Sequence, residues 1–378
     1  MQATVYAVQG SAEGKSSLAG LDHFDLKQEG SLPADALLTT PNTSLYSFDD
    51  ETRRAVFVET APEADLTAAP FYYRAQKEHA RRVFTVPFEA FNALAEELPD
   101  PPRLVLLHSV GRCGSTLLCH ALGELGDVTS LSEPDVYTCA VGMRPPDGSR
   151  DAELTVLLRS ATRFLASSTP AAREGVLLLK FRAWCLEVAD LLHQGRPDAH
   201  ALFLGRDLEG WIRSMGRLLK VTDPEREALY QRRGVDTPMF IFPRDRFISL
   251  LRRSPFRPEV WLEDVTLGWV SLMARHGELH EQGVIRHALT YDGLTRQPQQ
   301  ALQAVAAACG VPTGDFSAAL AVFGRDSQAG THLSGRMLRE QKGGELSEDD
   351  VKRAEAVAFH HNIEPDLRVA LPGNLLGE

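Results

Sequence analysis

Short apolar runs alternate with helical stretches along the chain from Arg103 onward. Continuous apolar runs are typical of parallel strands buried on both faces. They predict strands over residues 104–108, 176–179, 201–204 and 287–290. Apolar residues at helical spacing predict helices over residues 115–125, 152–166, 184–194, 208–219, 262–280 and 299–309. This alternation of strands and helices predicts an α/β fold with a doubly wound parallel sheet.

The first hundred residues have a different pattern, in which scattered polar segments precede a helical stretch over residues 71–84. A second helix is expected to follow, with Pro87 in its first turn. The proline-rich segment LPDPPR then forms a stiff connection. We therefore expect an N-terminal accessory region over residues 1–100, a main domain over 101–345 and a C-terminal helical tail over 346–378.

The segment over residues 220–262 is too long for an ordinary connecting loop, and we interpret it as a helical insertion. It combines the apolar run Met239 to Phe242 with several arginines. A pocket with an apolar floor and a basic rim would suit an aromatic or lipophilic alcohol. A helical subdomain whose arginines face water explains the same composition, and the sequence leaves both interpretations open.

The segment LVLLHSVGRCGSTLL runs from a buried strand through a glycine-containing turn into a helix. Gly111 and Gly114 allow the backbone to curl with its N–H groups pointing inward, and the helix start adds its positive dipole end. Arg112 adds a cation, and Cys113 is the small residue that such a turn requires. Ser115 and Thr116 contribute hydroxyl groups. The turn therefore predicts a phosphate or sulfate site, with a purely structural tight turn as the alternative.

This turn differs from the usual nucleoside-triphosphate loop, GxxxxGK[ST], because Ser115 stands where the lysine should be. After the strand over residues 201–204 comes Arg206, and Ser214 follows two helical turns later. Open α/β sheets bind ligands at the carboxyl ends of their strands. Arg206 and the glycine turn can therefore meet one nucleotide.

The composition narrows the partners and the location that we expect. A formal net charge of -11 repels a nucleic-acid backbone. The sequence shows no signal-peptide core and no membrane-length apolar run, so we expect a cytoplasmic protein without a membrane partner. The 5 cysteines lack paired spacing, which argues against a disulfide framework and against a bound metal.

Together these motifs resemble the sulfotransferase superfamily, whose members use 3'-phosphoadenosine 5'-phosphosulfate (PAPS) on a P-loop, nucleotide-kinase-like fold. The resemblance covers roughly residues 103–340. The 5'-phosphosulfate loop of the family is matched by residues 112–116, RCGST, and its 3'-phosphate motif by Arg206 and Ser214. The resemblance thus implies a P-loop-type nucleotide site with PAPS as donor, PAP (3',5'-diphosphoadenosine) as product and no metal.

Two later segments agree with this resemblance. The segment YDGLTRQPQQALQAVAAACGVP is similar to the strand, loop and helix of the family. FGRDSQAGTHLSGR resembles the loop that covers the 3'-phosphate, with Arg325 and Gly330 at the interval of the family. Asp326 departs from the common form. A carboxylate beside a phosphate is unfavourable, so Asp326 must point away or pair with an arginine.

The resemblance also implies catalytic residues. Arg112 and Lys180 are the expected cations, since Lys180 follows a strand at the same edge of the sheet. Many members carry a histidine two residues after this lysine, but this chain has Arg182, which cannot abstract a proton. Other members use a glutamate a short way past the first helix, so the resemblance implies Glu133 as the base. His108 and Asp135 are the reserve candidates.

The function expected from these residues is sulfuryl transfer from PAPS to a hydroxyl group of a small or medium-sized acceptor. A P-loop kinase with an atypical loop is the first alternative, and a non-catalytic binding protein that kept the fold is the second. The partner is expected to be a small-molecule acceptor, and the N-terminal region is able to serve as a cap or as a contact in a homo-oligomer.

Overall fold

The structure is a computed structural model. It describes residues 1–12, 18–169, 175–219, 228, 261–311, 314–326 and 345–377. Almost all of the predicted insertion over residues 220–262 lies outside these ranges, and so does Gly330. The chain divides into two compact units. The first comprises Met1–Leu106 and Gly126–His200, and the second comprises Leu107–Leu125 and Ala201–Glu378.

An antiparallel sheet of five strands occupies the N-terminal part of the first unit, in the order β2-β1-β5-β4-β3. Its strands are β1 Gln2–Ser11, β2 Phe24–Pro33, β3 Thr43–Asp49, β4 Arg54–Thr60 and β5 Ala80–Pro87. One face buries a cluster that includes Tyr46, Val56 and Val83. The apolar patterning of residues 1–100 therefore builds a sheet that the sequence reading did not predict.

The helix expected over residues 71–84 was wrong in its second half. The helix spans Tyr72–Glu78, and the chain then enters β5. β5 is the central strand and pairs with both β1 and β4, so its middle residues are buried on both faces. Val83, Thr85 and Val86 are β-branched residues that suit this position. Pro87 ends the strand and stands directly before the next helix, Phe88–Ala95.

The second sheet has the strand order β10-β9-β6-β8-β7, and β7 with β8 and β9 with β10 pair in parallel. Its strands are β6 Arg103–Ser109, β7 Val128–Ser132, β8 Val176–Lys180, β9 His200–Gly205 and β10 His287–Thr290. All four predicted strands are present. The prediction of an α/β fold with a parallel sheet is confirmed. β6 is the central strand of this sheet, with β9 on one side and β8 on the other. The loop after β6 therefore lies at a topological switch point, where open α/β sheets bind ligands.

The helices follow the predicted positions closely. In the first unit they are Tyr72–Glu78, Phe88–Ala95, Val136–Met143, Asp151–Ser167 and Ala189–Gly195. In the second unit they are Ser115–Gly123, Leu208–Leu219, Trp261–Glu281, Tyr291–Arg296, Pro298–Ala308, Ser317–Ala321, Glu348–His360 and Leu367–Ala370. The helix predicted over residues 184–194 begins as a 3-10 helix, Ala183–Val188. Within the described ranges, no helix is long and apolar enough to cross a membrane.

Candidate functional site

The loop between β6 and the helix Ser115–Gly123, which we call the loop helix, has left-handed backbone at several positions. Gly111, Arg112 and Gly114 have φ values of 73°, 51° and 81°. Such values suit glycine and are unusual for arginine. A Cβ atom on Gly114 would lie 3.1 Å from the ring of Tyr291, so this position also lacks room for a side chain. The loop thus forms a concave turn of N–H groups at a helix N-terminus, which is an anion-binding geometry.

The two motifs that sequence analysis assigned to one nucleotide meet in the second unit. Arg112 Nε donates to Ser214 Oγ at 3.2 Å, and Arg206 Nη1 donates to the carbonyl oxygen of Arg112 at 2.8 Å. The guanidinium of Arg206 also lies 4.3 Å from the ring centroid of Tyr291. Although Arg206 and Ser214 are about a hundred residues from the loop in sequence, both contact Arg112 directly.

The electrostatics of this cluster favour an anion. Burial lowers the pKa of Arg112, and the neighbouring positive charges of Arg206 and Arg217 lower it further. A lowered arginine pKa means that the surroundings resist the positive charge. Cys113 and Asp326 act in the opposite direction. Asp326, which departs from the family pattern, therefore acts on Arg112 as a compensating negative charge.

The other loop residues serve the turn itself. Cys113 is completely buried, and Ser115 and Thr116 are buried at the start of the loop helix. Arg325 lies directly after a chain segment that packs on the loop helix, namely the helix Ser317–Ala321 and the 3-10 helix Val322–Gly324. Gly330, its predicted partner in the covering loop, lies outside the described residues.

Glu133 and Lys180 form an ion pair in the first unit. Each residue stands at the end of a strand, and the register of β7 and β8 places Ser132 opposite Lys180. The Glu133 N–H donates to the Lys180 carbonyl at 2.7 Å, and the Lys180 ammonium donates to Glu133 Oε1. Glu133 has a φ of 59°, which turns the chain away from the strand at this residue. The structure therefore brings together the predicted base and one predicted cation.

Arg182 extends this cluster and is the contact that sequence analysis missed. Its Nε lies 3.1 Å from Asp135 Oδ1 and 3.6 Å from Glu133 Oε2, and its guanidinium lies 4.3 Å from the ring centroid of Tyr73. Although burial alone acts to lower the pKa of Arg182, the charge of Asp135 makes the largest contribution that raises it. The sequence signal for this cluster was the pair of cations Lys180 and Arg182 at the end of a strand.

The reserve bases have structural roles. Asp135 is 1% exposed, and its Oδ2 accepts the Ala19 N–H at 2.7 Å while Oδ1 faces Arg182. Burial raises the pKa of Asp135. His108 is 1% exposed within β6, and burial lowers its pKa to about 3, which makes it a neutral core residue. In the described part of the chain, no group of three or more His, Cys, Asp or Glu residues could hold a metal ion.

Comparisons with known proteins give no sequence match, since neither a protein-family model nor a curated protein matches the chain. Several solved structures to which it is similar are sulfotransferases. A sulfotransferase domain from the curacin biosynthetic pathway is 14% identical and covers 70% of this chain and 98% of its own, with a TM-score of 0.37. A sulfotransferase from Mycobacterium tuberculosis H37Rv is 11% identical and covers 70% of this chain and 78% of its own, with a TM-score of 0.40.

A mouse sulfotransferase complexed with PAP is also similar, with 11% identity, coverage of 72% of this chain and 88% of its own, and a TM-score of 0.36. All three scores lie below 0.5, so these likenesses carry no weight of their own. The fold assignment rests on the parallel sheet of this chain, and the functional assignment rests on its residues.

Proposed function

We propose that this protein is a sulfotransferase that moves the sulfuryl group of PAPS to a hydroxyl group of a small or medium-sized acceptor. The observation that carries the proposal is the meeting of the glycine turn with Arg206 and Ser214 at Arg112. A nucleotide that bears phosphate groups at both its 5' and 3' positions needs two anion sites. The loop offers one, and the pair Arg206 and Ser214 offers the other.

The donor site fits such a group on electrostatic grounds. The N–H groups of the left-handed turn and the N-terminus of the loop helix are positive, and they carry no side-chain cap at Gly114. Arg112 and Arg206 add two cations, and after burial the charge of Arg206 is the next largest cause of the lowered pKa of Arg112. A bound phosphate or sulfate group would offset that repulsion through charge-assisted hydrogen bonds.

Donor loops of nucleoside-triphosphate enzymes use a lysine and a magnesium ligand, and this turn has Ser115 at the lysine position. Phosphoryl transfer would therefore lack a main electrostatic contribution. Sulfuryl transfer needs in-line positioning, cations on the oxygens and a base on the acceptor. This difference in the loop is the reason why we prefer the sulfotransferase to the atypical kinase.

In the proposed mechanism, PAPS supplies the sulfuryl group. Arg112 and Lys180 are assigned to stabilise negative charge on the sulfuryl oxygens. Glu133 is assigned to accept the proton of the acceptor hydroxyl while the new oxygen to sulfur bond forms and the bond to the 5'-phosphate breaks. The products are a sulfate ester and PAP. The ion pair with Lys180 holds the Glu133 carboxylate in one orientation.

Thermal stability with nucleotides tests this proposal. Binding of a ligand to the folded state alone raises Tm with ligand concentration. PAP without magnesium should stabilise the protein, and ATP with magnesium should not. Stabilisation by ATP with magnesium alone would favour the kinase. A transfer assay with sulfur-labelled PAPS against pooled alcohols, phenols, amines and sugars then tests catalysis, and donor binding without transfer to any pool would favour the non-catalytic protein.

A further inference from the structure

Two buried tryptophans hold the backbone on either side of the donor site. Trp211 lies in the helix Leu208–Leu219 and is completely buried, and its indole Nε1 donates to the Val110 carbonyl at 3.1 Å. Val110 is the last residue before the left-handed turn, and its own N–H donates to the Leu204 carbonyl at 3.3 Å. Both polar groups of Val110 are therefore fixed where the chain leaves β6.

Trp269 makes a similar contact with the backbone at Arg206. It lies in the helix Trp261–Glu281 and is completely buried, and its indole Nε1 donates to the Arg206 carbonyl at 3.0 Å. The side chain of Arg206 reaches back to the Arg112 carbonyl. Trp269 thus restrains the backbone of Arg206, and the guanidinium of Arg206 in turn restrains the backbone of the turn at Arg112.

These four hydrogen bonds restrain the turn and the adjoining end of β9. Trp211 holds Val110, Val110 holds Leu204, Trp269 holds Arg206, and Arg206 holds Arg112. A buried carbonyl that loses its donor costs more free energy than an average hydrogen bond contributes, so each contact restrains the backbone strongly. A phenylalanine would fill most of the same space but could not donate.

We propose that Trp211 and Trp269 are positioning residues of the donor site, and that their indole N–H groups fix the turn and Arg206 at the separation that the nucleotide requires. This inference rests on the proposed function for its ligand, but the restraint itself is a property of the free protein. The two tryptophans act through main-chain carbonyls and touch no reacting atom.

Four forms of the full-length protein test the inference at position 269, and the same three replacements of tryptophan apply at position 211. Trp269→Phe removes the indole N–H and part of the ring system. Replacement of Trp269 by benzothienylalanine removes only the N–H, whereas 7-azatryptophan keeps it. Thr266→Val is the control, because it removes another buried donor from the same helix, the bond from Thr266 Oγ1 to the Leu262 carbonyl at 2.8 Å.

Two measurements are made on each form. Hydrogen exchange of the free protein should become about tenfold faster in the peptide containing residues 110–116 for Trp269→Phe and for benzothienylalanine. The Kd of PAP and the KM of PAPS should rise by about the same factor with kcat unchanged. The 7-azatryptophan form and Thr266→Val should match the wild type in both.

The outcomes separate the two proposals. Normal exchange and normal PAP affinity with benzothienylalanine would show that the rings only fill space, and would overturn the positioning role even if Trp269→Phe does not fold. Failure of the wild-type protein to bind PAP would overturn the proposed function. In that case the exchange of residues 110–116 in the free protein would still decide whether the indole N–H groups restrain the turn.

Discussion

Arg112 and Arg182 are both mostly buried, yet their pKa values move in opposite directions. The pKa of Arg182 is raised, because Asp135 and Glu133 face it. The pKa of Arg112 is lowered by burial and by a second arginine, Arg206. Nearby carboxylates thus help to raise the pKa of Arg182, whereas Arg206 helps to lower the pKa of Arg112 against the opposite contribution of Asp326.

Opposite charges surround Arg182, whereas a like charge lies beside Arg112. Removing one member of a buried ion pair is costly, because it leaves a buried charge without that partner. Two neighbouring arginines at a turn of N–H groups gain stability when an anion binds. Substitutions near Arg112 and near Arg182 should therefore have different consequences for nucleotide binding and for the free energy of unfolding.

The largest expected effect is on catalysis. Glu133→Gln should lower kcat about a thousandfold, since an amide of the same shape cannot accept a proton. The Kd of PAP should stay unchanged, because Glu133 belongs to the cluster around Arg182 in the first unit. Steady-state kinetics and calorimetry measure the two quantities. Glu89→Gln, on an exposed position of the same unit, is the control. Full activity of Glu133→Gln would remove Glu133 as the base.

The next effect is on stability. Asp135→Asn should lower the free energy of unfolding by about 3 kcal/mol, because it leaves the buried guanidinium of Arg182 with only Glu133 as a carboxylate neighbour. The affinity for PAP of the protein that remains folded should not change. Asp198→Asn removes one carboxylate partner of Arg196 and leaves Asp100, and the Asp198 side chain is 64% exposed, so its loss should cost less than about 1 kcal/mol. Equal losses of unfolding free energy in denaturant titrations of the two variants would contradict a stabilising buried ion pair at Asp135.

The opposite result is expected for Arg206→Ala. Loss of this guanidinium should weaken PAP binding about a hundredfold. The free energy of unfolding should change by less than about 1 kcal/mol, because lost contacts are offset by relief of repulsion with Arg112. Calorimetry without magnesium and denaturant titration measure the two changes. Arg296→Ala, at an arginine that is 71% exposed, is the matched control and should bind PAP normally.

The smallest effect concerns pH. The folded-state pKa of His108 is about 3, and its unfolded value is about 6.5, so the unfolded state binds the extra proton as the pH falls. The neutral histidine therefore contributes stability that is present above pH ~6.5 and is lost on acidification toward the folded pKa.

Between pH 7 and pH 5, the wild type should lose about 2 kcal/mol more than His108→Asn. The comparison between variants is needed because Asp264, whose pKa burial raises to about 7, contributes a slope of opposite sign over this range. Parallel stability curves for wild type and His108→Asn would show that His108 is not a buried neutral group.

The sequence predicted the parallel sheet and most helices because each of these elements carries a local pattern. Runs such as VLLL, over residues 176–179, are readable without knowing what they pack against. β5 was not readable in this way. Its buried residues Val83 to Val86 include the polar Thr85 and lie close after the helix Tyr72–Glu78, so they carry no separate apolar run, and pairing with β1 and β4 makes them a strand.

The candidate site also combines residues that the sequence predicted with contacts that it did not. Residue types, spacing and the family resemblance predicted Arg112, Arg206, Ser214, Glu133 and Lys180 as site residues. They could not reveal that Asp135 and Tyr73 enclose Arg182, or that Trp211 and Trp269 hold the turn. Those contacts join residues far apart in the chain, and single residues of these types carry no periodic signal.

The sequence by itself determined the strand, turn and helix of the loop and the charges placed around it, because glycine positions, apolar runs and residue types are local properties. Tertiary contacts set the direction in which the pKa of each buried arginine shifts. Arg112 and Arg182 differ because folding places Asp135 and Glu133 near Arg182 and places Arg206 near Arg112. Electrostatic energy depends on distance through space, and separation along the chain does not specify that distance.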